Sequence, residues 1–168
     1  MHIDADTRRD LNVIAAWANA VSDVVRAAAE RSVGITGNGP AALVAIVADP
    51  GMSIDELRRV LNLTHPGAVR LVDRLVENGW VRREQGFGRA VCLKATAAGR
   101  RAERRLAAAR EAAVRDLLAG IGEQDIHAIA ELVEPVFGAV IDDVDAMRRL
   151  CRLCDRNVCA ECPAETAG

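Results

Sequence analysis

Tyrosine is absent from this 168-residue chain, aromatic residues make up 2% of it, and of its 22 cationic side chains only Lys94 is a lysine. The arginine excess reads as a base-composition bias of the genome. Long apolar runs are missing too. The longest uncharged one, Pro40 to Ala48, falls far short of the ~18 residues a membrane span needs. No signal-peptide pattern is visible, so no membrane contact and a cytoplasmic location are expected. The residue sets of common catalysis are also absent. There is no Ser/His/Asp set, no phosphate-binding glycine loop and no carboxylate cluster near histidine. His2, His65 and His127 lie far apart in sequence. An enzyme is therefore not expected. The length is about one domain's worth, enough for a real core.

What is present concentrates between residues 53 and 99. Ser53 with Glu56 three residues on has the spacing of a capping box, in which each partner satisfies an orphan amide of a helix start. Leu57 and Leu61 give an apolar i, i+4 pair on that helix, expected over 53–61. Asn62-Leu63 is short enough for a tight turn. Thr64 is a fitting N-cap for a second helix over 64–78, with Pro66 in the first turn, where no amide donor is needed. Ala68, Leu71, Val72 and Leu75 fall on its inner face. His65, Val69, Arg70, Asp73, Arg74 and Glu77 fall on the other. Gly79 stands where a left-handed residue would end the helix. Trp80 to Arg83 and Arg89 to Leu93 are strand-like, with Gly86 and Gly88 bracketing a hairpin tip. Thr96 opens a further helix. Helix, helix and basic hairpin in this order make a winged helix-turn-helix. The bland alternative, an αα-hairpin and a β-hairpin with merely solvated charges, leaves the agreement of caps, turn and hairpin to chance.

Here the chain resembles the MarR family of bacterial transcription regulators. The residues that carry the resemblance are Ser53-x-x-Glu56-Leu57, Arg70-Leu71-Val72-Asp73-Arg74-Leu75, Asn78-Gly79-Trp80-Val81-x-Arg83 and Thr96-x-x-Gly99. It extends over roughly residues 7 to 150, the flanking helices matching by length and pattern only. The family's wing tip usually carries Asp-x-Arg, and Phe87-Gly88-Arg89 keeps the final arginine. Where the family often has Ser or Thr before the recognition-helix arginine, Val69 stands here, which suggests apolar contact with a thymine methyl. The resemblance implies a mainly α fold with a small β-wing, flanked by long N- and C-terminal dimerisation helices. It also implies a homodimer and a small-molecule effector pocket between reader and dimer helices. No convergent polar set in the sequence identifies that ligand.

The net charge of −2 looks wrong for a DNA binder until it is divided. Residues 53–105 hold twelve basic and six acidic side chains, a net of +6. The positive charge thus lies where DNA contact is expected. The expected contacts are Thr64, His65, Val69, Arg70 and Arg74 in the major groove, Arg70 taking a guanine or phosphate. Arg82, Arg83 and Arg89 would meet phosphate or the minor groove from the wing. Arginine is the better phosphate and guanine ligand. For Arg100, Arg101, Arg104 and Arg105, and for His65, a plain solvated role weighs as much as contact.

The flanks read as helices with more apolar surface than the small reader could cover. Residues 7–31 carry two tracks, Leu11, Ile14, Ala18, Val21, Val25 and Val13, Trp17, Ala20, Val24; so wide an arc packs against more than one neighbour. For Trp17 alone, plain core packing is the ordinary reading. Residues 97–119 align Ala102, Leu106, Ala109, Ala113 and Leu117, and Gly120-Ile121-Gly122 breaks that helix. One last helix is expected after it, with Ile126, Ile129, Val133, Val136, Val140, Val144 and Met147 on one face and a kink at Pro135. A symmetric dimer joined by these helices would read a pseudo-palindrome, its half-sites about one helical turn apart. The chain divides into 1–33, the N-terminal dimerisation part; 34–96, the reader; 97–150, the C-terminal dimerisation helices; and 151–168, a cysteine-rich tail.

That tail holds four of the five cysteines, Cys151-x-x-Cys154-x4-Cys159-x-x-Cys162. In a cytosolic protein such density points to metal or redox chemistry. Four thiolates in one segment suit tetrahedral zinc. An iron–sulfur cluster is the rival, since Cys154-x4-Cys159-x2-Cys162 copies a plant-type spacing. A thiol–disulfide switch between the pairs is a third reading. Inert packing is a fourth, Cys151 continuing the last helix's stripe. Cys92, on the second wing strand, is expected to be a small buried hydrophobe. The function expected is a dimeric DNA-binding regulator, a repressor, modulated by a small ligand or at the tail cysteines. The alternatives are a thiol or iron–sulfur redox protein on a helical scaffold, and a winged helix used for protein contact.

Overall fold

The computed structural model describes residues 4–86 and 91–159. Among these, the order is α1 (Ala5–Val33), α2 (Gly39–Ala48), α3 (Ile54–Val60), α4 (His65–Glu77), β1 (Val81–Gln85), β2 (Val91–Ala95), α5 (Ala97–Leu117), α6 (Glu123–Val133), a 3-10 turn (Glu134–Val136), α7 (Phe137–Val140) and α8 (Val144–Leu150). The fold is mainly helical with a two-stranded wing, as the sequence leads one to expect. No helix among the described residues is long and apolar enough to cross a membrane.

α2 is apolar all round, and a helix of that kind belongs inside. Its Leu43, Val44 and Ile46 are buried, and around them gather Leu57 and Val60 of α3, Leu71, Val72 and Leu75 of α4, Val81 and Leu93 of the hairpin, and Leu106 of α5. Each fully buried Leu or Val removes enough apolar surface from water to contribute about 1.5–3 kcal/mol. The core therefore fixes α4 and the wing to one support.

α1 is 29 residues long, roughly 43 Å. Asp4 caps its start by accepting from the Thr7 amide at 2.7 Å, and Gly34 ends it with φ of +70°. Only the C-terminal third joins the core, through Ala28, Ala29 and Val33. Residues 5–20 are exposed throughout, Leu11, Val13, Ile14 and Trp17 included. α1 and α5 run along one another.

The last helix differs from expectation. Pro135 does not kink a continuous rod; the segment breaks into α6, the 3-10 turn, α7 and α8. Proline lacks an amide donor, so the α-helical ladder is interrupted at Pro135 and continues as a 3-10 turn, although Glu134 before it stays helical (φ −51°, ψ −46°). Ile141 then turns extended (φ −108°, ψ 106°), and Asp143 starts α8 afresh by accepting from the Ala146 amide at 2.6 Å. The stripe from Ile126 to Met147 is therefore divided. α6 and α7 bury nothing, whereas α8 packs back on α3 and buries Ala146 and Cys151.

Candidate nucleic-acid interface

The reader is built by local chemistry. Ser53 and Glu56 close the capping box: the Glu56 amide donates to the Ser53 hydroxyl oxygen at 3.2 Å, and the Ser53 amide donates to the Glu56 carboxylate at 2.7 Å. The Ser53 hydroxyl also donates to that carboxylate, at 2.8 Å, and the donations from the Ser53 amide and then its hydroxyl hold the Glu56 carboxyl below the usual glutamate range. Asn62 makes the turn into α4 with φ of +51°, a left-handed conformation that asparagine adopts more readily than most residues. Thr64 caps α4, its hydroxyl oxygen accepting from the Gly67 amide at 3.2 Å. Gly79, at φ +70°, ends the turn after α4.

α4 buries Ala68, Leu71, Val72 and Leu75. Its outer face presents His65, Arg70, Arg74 and Glu77 exposed, with Val69 and Asp73 half-buried. An open groove of about 520 Å³ lies along Gly67, Arg70, Asp73, Arg74 and Glu77. The wing follows in antiparallel register, Val81 opposite Ala95 and Arg83 opposite Leu93. β2 also pairs outward: the Gly51 amide donates to the Leu93 carbonyl at 3.0 Å, and the Leu93 amide to the Met52 carbonyl at 2.8 Å. This tie joins the wing to the entry of α3. Cys92 beside it is half-buried, short of the full burial expected.

The basic side chains fall into two groups. Arg58 and Arg59 both pair with Asp55, each at 2.6 Å. Arg82 and Lys94 share Glu84, at 2.7 and 2.6 Å, and Arg83 reaches Asp73 of α4 at 2.7 Å. The Lys94 hydrogen bond, then Arg82, keeps the Glu84 carboxyl lowered. Arg70 and Arg74 form no ion pair among the described residues. Of the expected contacts, then, Thr64, His65, Val69, Arg70 and Arg74 share the exposed rim of one helix. Arg82 and Arg83 are held by carboxylates of the same chain, and Arg89 lies outside the described residues. Asp73, which brackets Arg83 across ten residues, is a site residue the sequence reading missed; nothing in its spacing announces it.

α5 is set against this unit at close range. The Thr96 amide donates to the Trp80 carbonyl at 2.8 Å, and the Thr96 hydroxyl to the Gly79 carbonyl at 2.7 Å. A Cβ on Gly99 would stand 2.1 Å from the Trp80 carbonyl oxygen, so the Thr96-x-x-Gly99 motif is a packing requirement. Glu103 of α5 is buried, and that burial, then the neighbouring Asp155, pushes its carboxyl up.

In the tail, Cys151 is buried and Cys154 half-buried, while Cys159 is exposed. A hydrogen bond from Cys151, then the guanidinium groups of Arg110, Arg156 and Arg152, outweigh burial and bring the Cys154 thiol down to about 6. Among the described residues no three His, Cys, Asp or Glu side chains stand close enough to hold a metal ion. Cys162 lies outside them. The first Cys-x-x-Cys would supply two of the four ligands that zinc or an iron–sulfur cluster takes. A second open groove, of about 1020 Å³, runs between α1, α2 and the tail, with Trp17, Pro40, Arg110, Phe137 and Cys154 in its wall.

Two short helices joined by a left-handed turn, the second presenting a basic outer face beside a hairpin wing, define the winged-helix class. Residues 33–89 of this chain match the MarR family. No curated protein sequence matches the chain. Among solved structures, YusO from Bacillus subtilis superposes with a TM-score of 0.66 at 17% identity, over 80% of this chain and 97% of that one. A MarR-family transcriptional regulator from Rhodococcus sp. RHA1 gives 0.59 at 20% identity, over 79% and 96%. The multiple antibiotic-resistance repressor MarR from Listeria monocytogenes gives 0.60 at 22% identity, over 78% and 92%. The shared fold is that of the MarR transcription regulators.

Proposed function

We propose that this chain is a homodimeric, sequence-specific DNA-binding transcription regulator that represses by occupying a pseudo-palindromic operator. Its work is binding, in the cytoplasm, without catalysis. The observation that carries this reading is the division of the arginines. Those of α3 and the wing base are spent on Asp55, Glu84 and Asp73, while Arg70 and Arg74 stand exposed on the outer face of α4. An exposed guanidinium without a carboxylate is open to pairing with a guanine edge or a phosphate. Thr64, His65 and Val69 enter the groove with them. Arg82, Arg83 and Arg89 flank the backbone from the wing.

Dimerisation is supported by the apolar surface left outside the core: Leu11, Val13, Ile14 and Trp17 on α1, with Leu132, Val136 and Val140 beyond α5. A second copy offers the same surfaces and can cover them by two-fold symmetry. Modulation enters through the groove beside Trp17 and Phe137, or through the tail cysteines. Selection of duplexes from a random pool, followed by binding at several salt concentrations, tests the reading. An enriched pseudo-palindrome and a linear fall of log K with log salt are expected. Failure to enrich any sequence, with binding indifferent to salt, would refute it and leave a winged helix used for protein contact.

A further inference from the structure

The tail brings two thiols together in a way that DNA reading does not use. The Cys154 amide donates to the Cys151 carbonyl at 2.9 Å, and the two thiols are hydrogen-bonded to each other. A turn closed from i to i+3 holds its end Cα atoms within about 7 Å, the range a disulfide spans. The two sulfurs have different surroundings. Cys151 is buried at the end of α8, in the wall of a small cavity with Val44, Ala48 and Val60 and with Asp49, Arg148, Arg152 and Arg156. Cys154 forms part of the wall of the larger groove, as do Arg110 and Arg152.

We propose that Cys151 and Cys154 are a redox-active dithiol, with Cys154 the attacking thiol and an anionic low-molecular-weight disulfide, admitted by the arginine-lined groove, the co-reactant. Cys154, as thiolate, attacks one sulfur of the external disulfide RS–SR. A Cys154–SR bond forms, and RS⁻ leaves with the electron pair and takes a proton from water. Cys151 then gives its proton to water and attacks the Cys154 sulfur. The Cys151–Cys154 disulfide forms, and the second RS⁻ leaves and is protonated. The chain loses two electrons, and the external disulfide becomes two thiols. The order follows from access: the buried sulfur cannot meet a solute first, and it sits within reach of the mixed disulfide once formed. The charge preference follows from the Arg110 and Arg152 guanidinium groups beside Cys154, which attract anions to this end of the open groove; the carboxylates in its lining are Asp23, paired with Arg26, and Glu30.

The exchange has a structural consequence. Cys151 is the C-cap of α8. That helix is clamped to the reader by Arg148 with Asp49 at 2.7 Å and by Arg59 with Asp145 at 3.4 Å. Drawing Cys151 toward Cys154 pulls on the end of this clamp. The inference deepens the modulation reading above, yet its chemistry does not depend on DNA binding, so the two can fail separately.

The test is reaction of the reduced full-length protein with glutathione disulfide, followed by rapid alkylation and peptide mass mapping. A Cys151–Cys154 cross-link is expected, together with a mass loss of two hydrogens. The Cys151→Ala chain is expected to stop at a stable glutathione adduct on Cys154, and Cys151→Ser gives the same readout if alanine impairs folding. Cystamine, a cationic disulfide, is expected to react about tenfold more slowly at low salt, and Arg110→Ala should narrow that ratio. First modification at Cys151, Cys159 or Cys92 would overturn the proposal. So would a bound zinc ion that protects both thiols, or equal rates with the two disulfides.

Discussion

Replacing Gly99 by alanine separates two opposed expectations cleanly. Gly99 lies at the third position of α5, where alanine would ordinarily help: it raises helix propensity by up to about 1 kcal/mol, chiefly by restricting the unfolded chain. The structure reverses the sign. The added Cβ would stand 2.1 Å from the Trp80 carbonyl oxygen, 3.0 Å from its carbon and 3.2 Å from its Cα. The obstacle is backbone, which cannot rotate away, so α5 and the wing base must separate by about 1 Å. That movement strains the Thr96 amide bond to Trp80 and the Thr96 hydroxyl bond to Gly79. Overpacking of this kind costs typically ~1–3 kcal/mol and at times more, and a weakened hydrogen bond adds about 1. Against the alanine gain, the net is a loss of roughly 1–3 kcal/mol. For a chain of this size that lowers Tm by approximately 2–10 °C. Thermal unfolding followed by circular dichroism, at one fixed protein concentration because self-association would make Tm concentration-dependent, measures it. Gly120→Ala is the control, since nothing stands within 4 Å of its would-be Cβ, and it should change stability by less than about 0.5 kcal/mol. A Gly99→Ala chain that melts at or above the wild-type temperature would refute the close approach.

Three further outcomes follow from the site. Arg70→Ala should weaken operator binding by about 1–3 kcal/mol and relax preference at one base pair if it reads a base, with Tm unchanged, as fluorescence anisotropy and melting would show. Ile14→Asp sets a charge in the exposed apolar face of α1 and should turn a dimer into a monomer in analytical ultracentrifugation; a dimer of unchanged affinity would move the interface elsewhere. Glu56 is held below the usual glutamate range by the Ser53 donors, amide first. Its contribution is therefore present above the unfolded value and is lost as pH falls through the folded one. Denaturant midpoints should drop across the acidic range in the wild type, and less steeply in Glu56→Gln.

The pairing of the arginines explains how a chain of net charge −2 can still present a cationic reader. Exposed pairs of this kind add little stability, typically ~0.2–1 kcal/mol each. Their effect is on geometry. Arg83 to Asp73 ties the wing to the recognition helix, and Arg82 and Lys94 fix Glu84 between them. DNA meeting this surface must either recruit the wing arginines from their carboxylates or contact them in place, whereas Arg70 and Arg74 need no such exchange. Sequence reading counted these charges alike, because charge is visible in a sequence, whereas pairing across ten residues, as of Arg83 with Asp73 and Lys94 with Glu84, is not.

Much of the reader was legible in the sequence. The capping box of Ser53 and Glu56, the Thr64 cap, the Gly79 ending, the inner stripe of α4 and the Thr96 start of α5 all stand where their spacing placed them. These are interactions between residues one to four apart, set by the backbone's own periodicity, so residue type and offset suffice to specify them. The last helix was misread for the converse reason. A continuous apolar stripe does not reveal that Asp143 will compete as a new N-cap, nor that the segment after it folds back onto α3. Arg148 meets Asp49 across 99 residues, Leu93 pairs with the Gly51–Met52 segment, and Gly99 meets the Trp80 backbone. Such contacts have no fixed offset, and only the packing of α2, α4 and α5 around one core brings them into range. The sequence by itself determined the local helices, turns and caps of this protein. The tertiary structure decided that Asp73 holds Arg83, where α8 lies and what surrounds the tail thiols, because those depend on distances through space and not along the chain.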